Sequence, residues 1–442
     1  MSGSEALTRR CLAAIAAPGG EGALTFTQVY QQTALAEATA ADRRREQGSP
    51  LSAIDGTVIA VKDLFDVQGQ ITWAGSRVLQ DAPPAVCDAP SVARLRLAGG
   101  VIIGKTNMTE FAFSGIGLNP HFGTPANPYG RGKRRRIPGG SSSGAAVAIS
   151  DGMAEIALGT DTGGSVRIPA ALCGLVGWKP TARRISLEGV WPLAPTFDSV
   201  GVIASSVRAC ADADAVLTGS AAADRMAATP SPRANRLRIA RLSGYVESEL
   251  DPVVAHCYQL ALDRLADAGV RVVELDIPEL EQVPRHQPGV TMTSYEAFRT
   301  HEKLLDQFAG LYDPRVRSRL ELGRQITREQ YDAASNLRGQ LQLAFGKALQ
   351  GFDACVYPTV KIAAPPFSAF ESDTDYVAIN RSLLRNTSLV NLLDACALTL
   401  PCHEDGRPPV GLSLAGPAGA DLTILSVAQT LEATVAKAIR SA

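Results

Sequence analysis

The 442-residue chain is 45% hydrophobic and 20% charged, an ordinary globular composition with enough length to bury a large core. Its 43 basic and 44 acidic residues leave a net charge of −1, so no global field attracts nucleic acid or an anionic membrane. Eight scattered cysteines form no CxxC pair and five histidines no HExxH, so neither a metal nor a cofactor is expected, and the cysteines read as small buried hydrophobes of a reducing, cytoplasmic compartment.

At the N-terminus, "TRRCLAAIAAPGG" sets two arginines before a short apolar stretch, as an export signal does. Residues 11–17 are alanine-rich and short for such a segment, and fit one side of a helix. No window approaches the 18 apolar residues of a membrane span. Residues 26–47 contain neither Gly nor Pro and read as a polar helical segment wrapping the outside. "GTVIAVKD" then supplies a β-branched run at 58–61 ending in Lys62, and "GGVIIGKTN" repeats the pattern at 101–105, after the helical "APSVARLRLAGG". Both read as buried strands of an α/β sheet.

The basic run Lys133-Arg134-Arg135-Arg136 lies between Gly132 and Ile137-Pro138, a context that predicts a solvated loop. "SSGAAVAISDGM" reads as a helix with serine at its start and Gly152 near its end. "AEIALGTD" reads as a strand, "TGGS" as a tight turn and "VRIPAALCGL" as helical, which places Ser165 at a strand-to-helix junction. Residues 219–236, small, polar and Pro-containing, are the best linker candidate. Beyond them "LRIARLSG", "DPVVAHCYQLALDRLADAG" and "VRVVELD" make a strand–helix–strand unit. The expected fold is α/β: a large mixed β-sheet flanked by helices on both faces.

Three stretches match catalytic or nucleotide-binding motifs by letter. "GGVIIGKT", 99–106, satisfies the Walker A expression, but a phosphate loop follows a strand and opens a helix, whereas here a helical segment comes first and the variable positions are strand-like. "GSSSG", 140–144, would make Ser142 a hydrolase-elbow nucleophile, yet a basic loop stands where the elbow needs a buried strand. "GTDTGGSVR", 159–167, sets two glycines before a serine, so that several backbone N–H groups can converge as in an oxyanion hole. Taken alone, this third stretch reads more simply as a turn followed by a helix cap.

From Lys62 through "IPGGSSSGAAVAISDGMAEIALGTDTGGSVRIPAALCGLVGWKPT", the chain resembles the amidase signature family, with weaker echoes in "GKTNMTEFAF", "PTFDSVG" and "PPVGLSLAG". The resemblance implies one amidase-signature domain over 1–442: a helical wrap at 1–50, a catalytic core at 51–218, the linker-like 219–236 and a substrate-pocket half at 237–442. Carried over position by position, it makes Ser165 the nucleophile and Ser141, 24 residues earlier, the bridging serine, joined to Gly140 by a cis peptide. Lys62 becomes the base. Thr162, Gly163 and Gly164, with Ser165, supply oxyanion-hole amides, while Ser142, Asp161 and Arg167 support the triad. The residues themselves do not separate Lys62 from Lys105, since both follow an apolar strand and precede a polar turn; the resemblance makes that choice.

The implied activity is hydrolysis of a small or medium amide, or a urea-like bond, through an acyl-enzyme. Lysine titrates near pH ~10.4, so a lysine base at Lys62 must be buried, neutral and hydrogen-bonded to Ser141. The implied partners are the amide substrate and water, without nucleic acid or membrane, and the resemblance is compatible with a homodimer. The alternative within the family is the glutaminase component of a tRNA-dependent amidotransferase. By family analogy residues 111–115 and 286–330 line the acyl pocket, although Phe111 and Phe113 read more simply as core. The loop before "IPGG", lengthened by "RGKRRR", would flank the entrance.

Overall fold

The computed structural model describes residues 3–219 and 232–436. Eleven strands, β1 (Phe26–Val29), β2 (Val58–Lys62), β3 (Val101–Thr106), β4 (Ile156–Thr160), β5 (Val176–Lys179), β6 (Val200–Ala204), β7 (Arg238–Leu242), β8 (Arg271–Leu275), β9 (Ala354–Pro358), β10 (Cys396–Pro401) and β11 (Gly411–Gly416), form one mixed sheet. Their order is β1-β3-β2-β4-β6-β5-β10-β11-β9-β7-β8. Three parallel strands, β3, β2 and β4, run through one half, and β9, β7 and β8 are parallel at the far edge. The pairings between those two groups are antiparallel.

Side-chain alternation divides the core into two layers. Ile59, Val61, Ile102, Ile156 and Leu158 point into one layer with helices Pro90–Leu97, Val207–Thr218 and Asp421–Val435. Val58, Ala60, Val101, Ile103 and Ala157 point into the other, against helices Gln31–Glu46, Ser143–Ser150 and Arg167–Cys173. Buried on both faces, these strands read as continuous apolar runs rather than alternating ones. The second layer is rich in Ala, which brings its helices close to the sheet. Gly144 goes further: a Cβ there would lie 2.4 Å from the Thr25 carbonyl oxygen and 2.7 Å from that of Asn107.

Sequence expectations change at two places, residues 26–47 and Cys87. Residues 26–47 are not one helix: Phe26–Val29 is an edge strand antiparallel to β3, and the helix begins at Gln31. "FTQV" carries β-favouring Phe, Thr and Val, and pairing with the open edge of β3 satisfies backbone groups that a helix there would leave exposed. The linker-like 219–236 falls for the most part on residues 220–231, outside the described residues. Seven cysteines are buried as expected, whereas Cys87 is exposed. Among the described residues, no helix is long and apolar enough to cross a membrane.

Candidate active site

Lys62 ends β2, two residues beyond Ala60 and four beyond Val58, so the period of two aims it at the layer that holds helix Ser143–Ser150. Its Nζ lies 2.8 Å from Ser141 Oγ and 3.0 Å from Thr160 Oγ1, and the side chain is wholly buried. Burial pushes its pKa down to about 7, and the carboxylates of Asp161 and Asp198 keep it from falling further.

Lys105 meets a different fate. Ile59 pairs with Ile102 but Ala60 with Gly104, so Ile103 is an extra residue and β3 bulges. Lys105 thereby aligns with Val61 instead of Lys62 and turns to the opposite layer. There it forms a buried ion pair with Asp63 at 3.2 Å and donates to the Ile71 carbonyl and Thr72 Oγ1.

The Gly140–Ser141 peptide is cis. Ser142 N–H donates to the Ser165 carbonyl at 3.2 Å, tying the serine loop to the "TGGS" turn through the main chain. The Ser142 hydroxyl is buried without a partner among the described residues, so the contact of Ser142 with the turn is made by its backbone. Ser165 is 3% exposed and sits between the end of β4 and the start of helix Arg167–Cys173.

Asp161 organises the turn. Its carboxylate accepts from the N–H groups of Gly164 (2.8 Å) and Val166 (3.2 Å), and takes two hydrogen bonds from the Arg167 guanidinium at 2.8 and 3.0 Å. Burial alone would raise this carboxyl, but the Arg167 charge and its hydrogen bonds hold it down at about 2. One of the four expected oxyanion amides, Gly164 N–H, is therefore committed to Asp161. Thr162, Gly163 and Ser165 N–H have no acceptor among the described residues. Gly164 has φ +132°, and a Cβ on it would stand 2.1 Å from Thr387 Oγ1; at Gly163 the nearest atom to a Cβ is a Leu384 methyl at 3.4 Å.

Several organising residues carry no mark in the sequence. Thr387 Oγ1 donates to the Gly163 carbonyl at 2.7 Å, and Asn391 bonds both Asp161 and Arg167. Both lie on helix Asp373–Leu392, more than 200 residues from the turn, and no local pattern distinguishes them. Asp198, inside the echo "PTFDSVG", accepts from Thr162 Oγ1 and from the N–H groups of Leu193 and Ala194. Burial raises its pKa above the usual carboxylate range against those hydrogen bonds.

A cavity of about 610 Å³ opens over Thr162, Gly163 and Ser165. Phe113, Leu193, Phe197 and Leu384 provide apolar wall, and Gln287, Thr293 and Arg319 come from the expected 286–330 region. Helix Asp373–Leu392, outside that expectation, supplies a large share of the lining. Phe113 lines the cavity, whereas Phe111 is core, packed on His301, Trp191 and Tyr312. No histidine lines it. The basic loop does not flank this entrance: none of residues 133–136 lines the cavity. Lys133, Arg134 and Arg135 are exposed, Arg135 pairing with Glu21 at 2.9 Å, and Arg136 reaches the Ala364 carbonyl.

A buried amine, a hydroxyl against it, unsatisfied amides and a serine at a cavity floor form a set able to accept a proton and hold a developing negative charge. A model of the family described as Amidase matches residues 6–425. The chain is 35% identical to 2-amino-5-chloromuconic acid deaminase of Comamonas testosteroni, with 90% of this chain and 86% of that protein aligned. It is 33% identical to a fatty acid amide hydrolase of Medicago truncatula, covering 90% of this chain and 67% of that one. Against the glutamyl-tRNA(Gln) amidotransferase A-component of Roseiflexus sp. (strain RS-1) the identity is 32%, covering 95% and 91%. A crystal structure of an amidase superposes with a TM-score of 0.86 at 32% identity, over 98% of this chain and 96% of that one.

Proposed function

Because this chain belongs to the amidase family and is a hydrolase of carbon–nitrogen bonds other than peptide bonds, we propose that Ser165, Ser141 and Lys62 cleave a small or medium amide through an acyl-enzyme. The observation that carries this reading is Lys62: wholly buried, 2.8 Å from Ser141 Oγ, with a pKa near 7. A neutral amine at that position has a lone pair for the Ser141 proton while an N–H satisfies Thr160 Oγ1.

In the acylation step Ser165 Oγ attacks the amide carbonyl carbon. Its proton passes to Ser141, whose own proton moves to Lys62. The carbonyl π electrons become an oxyanion among the N–H groups of Gly163, Ser165 and Thr162, which have no acceptor among the described residues. When the tetrahedral species collapses, the C–N bond breaks and the relay, reversed, protonates the departing amine. Water then attacks the ester and passes a proton to the same relay, and as the C–O bond to Ser165 breaks the relay returns that proton to Ser165 Oγ, restoring neutral Lys62. Asp161 and Arg167 hold the turn in place, with Asp161 occupying Gly164 N–H so that the turn keeps one shape.

Ammonia or amine release from a panel of amides, ureas and carbamates tests this reading, combined with fluorophosphonate labelling of Ser165. Ser165→Ala must abolish the label, and Ser141→Ala must lower turnover by orders of magnitude while the protein stays folded; retained turnover in either variant sinks the assignment. The similarity to the amidotransferase component supports a second reading, glutaminase activity within a tRNA-dependent complex. Turnover of simple amides by the isolated chain favours the free-standing hydrolase; dependence on a co-purifying protein favours the complex.

A further inference from the structure

The Gly163 carbonyl and the Gly164 N–H belong to one peptide unit, and both of its polar ends are held. The carbonyl accepts from Thr387 Oγ1 at 2.7 Å, and the N–H donates to Asp161 Oδ1 at 2.8 Å. The Thr387 hydroxyl has one proton and two carbonyls in reach, Gly163 at 2.7 Å and Leu384 at 3.3 Å, so the shorter contact takes it. The peptide units on either side carry the N–H groups of Gly163 and Ser165, which have no acceptor among the described residues and belong to residues of the cavity floor. Two successive glycines give the held unit no Cβ to restrict its rotation, so its direction has to be fixed from outside.

That outside hold comes from helix Asp373–Leu392, on which Thr387 and Asn391 stand one turn apart on the same face. The Thr387 carbonyl accepts from Arg167 Nη2 at 2.9 Å; Asn391 Oδ1 accepts from the same nitrogen at 2.7 Å, and Asn391 Nδ2 donates to Asp161 Oδ1 at 2.9 Å. Nearer its start the helix is fastened to the cavity wall, where Asn380 Oδ1 accepts from Gly115 N–H at 2.9 Å and from Ser114 Oγ at 3.0 Å. Thr387 itself is wholly buried and does not line the cavity, so its hydroxyl acts on the turn and not on a bound molecule.

Resting on the amidase reading above, we propose that Thr387 is a positioning residue, whose hydroxyl holds the Gly163–Gly164 peptide so that the flanking N–H groups of Gly163 and Ser165 converge on the oxyanion. Hydrogen bonds weaken steeply as they bend, and a donor aimed at developing charge contributes about 100- to 1,000-fold in rate. Asp161 alone leaves the peptide one fixed end and freedom to swing; Thr387 removes that freedom.

Thr387→Val tests this, because it keeps the branched shape and deletes only the O–H. It should lower kcat/KM for an amide by about 10- to 100-fold, with the loss in kcat and KM within about threefold, and Thr387→Ser should return to within about threefold of wild type. A trifluoromethyl ketone built on the same acyl group supplies a second readout: Ser165 Oγ adds to its carbonyl carbon, the hydroxyl proton passes to the relay, and the carbonyl oxygen becomes an oxyanion. Its affinity should fall in Thr387→Val in proportion to kcat/KM, whereas the amide should bind Ser165→Ala equally with or without Thr387→Val. A role in folding alone would lower the melting temperature and leave kcat per folded molecule and ketone affinity unchanged; that result overturns the proposal, as does a loss that Thr387→Ser fails to recover. Hydrogen–deuterium exchange over residues 162–166 reads the turn without turnover. Faster exchange in Thr387→Val supports the positioning role even if no amide is cleaved by the wild type, in which case the amidase reading alone fails; unchanged exchange overturns it.

Discussion

Lys62 is the last residue of β2 and Lys105 the last but one of the neighbouring parallel β3, one residue out of step across the ladder; both are wholly buried, yet they face opposite layers. Lys62 meets two hydroxyls and no carboxylate within ion-pair distance, so burial is opposed only by distant charge and its pKa falls to about 7. Burial lowers the Lys105 pKa as well, but there a carboxylate in contact, Asp63 at 3.2 Å, and two further acceptors oppose it. Equal burial therefore leaves an amine without a contacting carboxylate in one layer and an ion pair in the other. The difference lies in whether a counter-ion was buried too.

The sharpest way to break this comparison is to remove each amine. Lys62→Met should lower kcat/KM by about 10³-fold or more with the fold retained, read by amide turnover beside circular dichroism. The turn on the Lys62 side comes next: Gly164→Ala drives a Cβ into Thr387 and forces a residue with a side chain to φ +132°, so activity should fall by about 100-fold or more. Gly163→Ala, whose Cβ makes only ordinary contact, should stay within about tenfold of wild type. Equal losses in the two glycine variants would show that the clash with Thr387 is not what holds the turn.

Protonation is the milder removal of the same base. On the mechanism proposed above Lys62 works as the neutral amine, so kcat/KM should rise with pH through an apparent pKa near 7, falling about tenfold per unit below it. The folded pKa lies below the unfolded value of 10.5, so the unfolded chain binds the extra proton between about pH 7 and 10.5, and this group's contribution to stability rises with pH across that window. A flat profile from about pH 5 to 8 would remove Lys62 as the base. The smallest catalytic effect belongs to the other layer: Lys105→Met leaves Asp63 buried and unpaired and should destabilise by about 3–5 kcal/mol in urea unfolding. Activity per folded molecule should remain within about threefold of wild type.

Legibility in the sequence followed distance along the chain. Ser141, Asp161, Ser165 and Arg167 lie close together in sequence, with Lys62 79 residues before Ser141, and the strand, turn and helix signals at these places, "VIAVK", "TGGS" and "VRIPAALC", correspond to β2, the Gly163–Gly164 turn and helix Arg167–Cys173. Thr387, Asn391 and Asn380 carry no such signal, because ordinary polar residues on an amphipathic helix acquire a role only when the helix packs on the turn. Phe26–Val29 reads as helical but forms a strand for a related reason: four residues of weak preference are decided by the free strand edge beside them.

What the sequence determined by itself was the strand, turn and helix around Ser165, because apolar periodicity and glycine pairs act over a few residues. Which strand-end lysine joins the hydroxyls was decided by tertiary structure. A single extra residue, Ile103, reverses the side-chain alternation of β3, and the loops that cross each layer, the one after β2 with Asp63 and the one before helix Ser143–Ser150 with Ser141, then determine whether an amine meets a carboxylate or a serine.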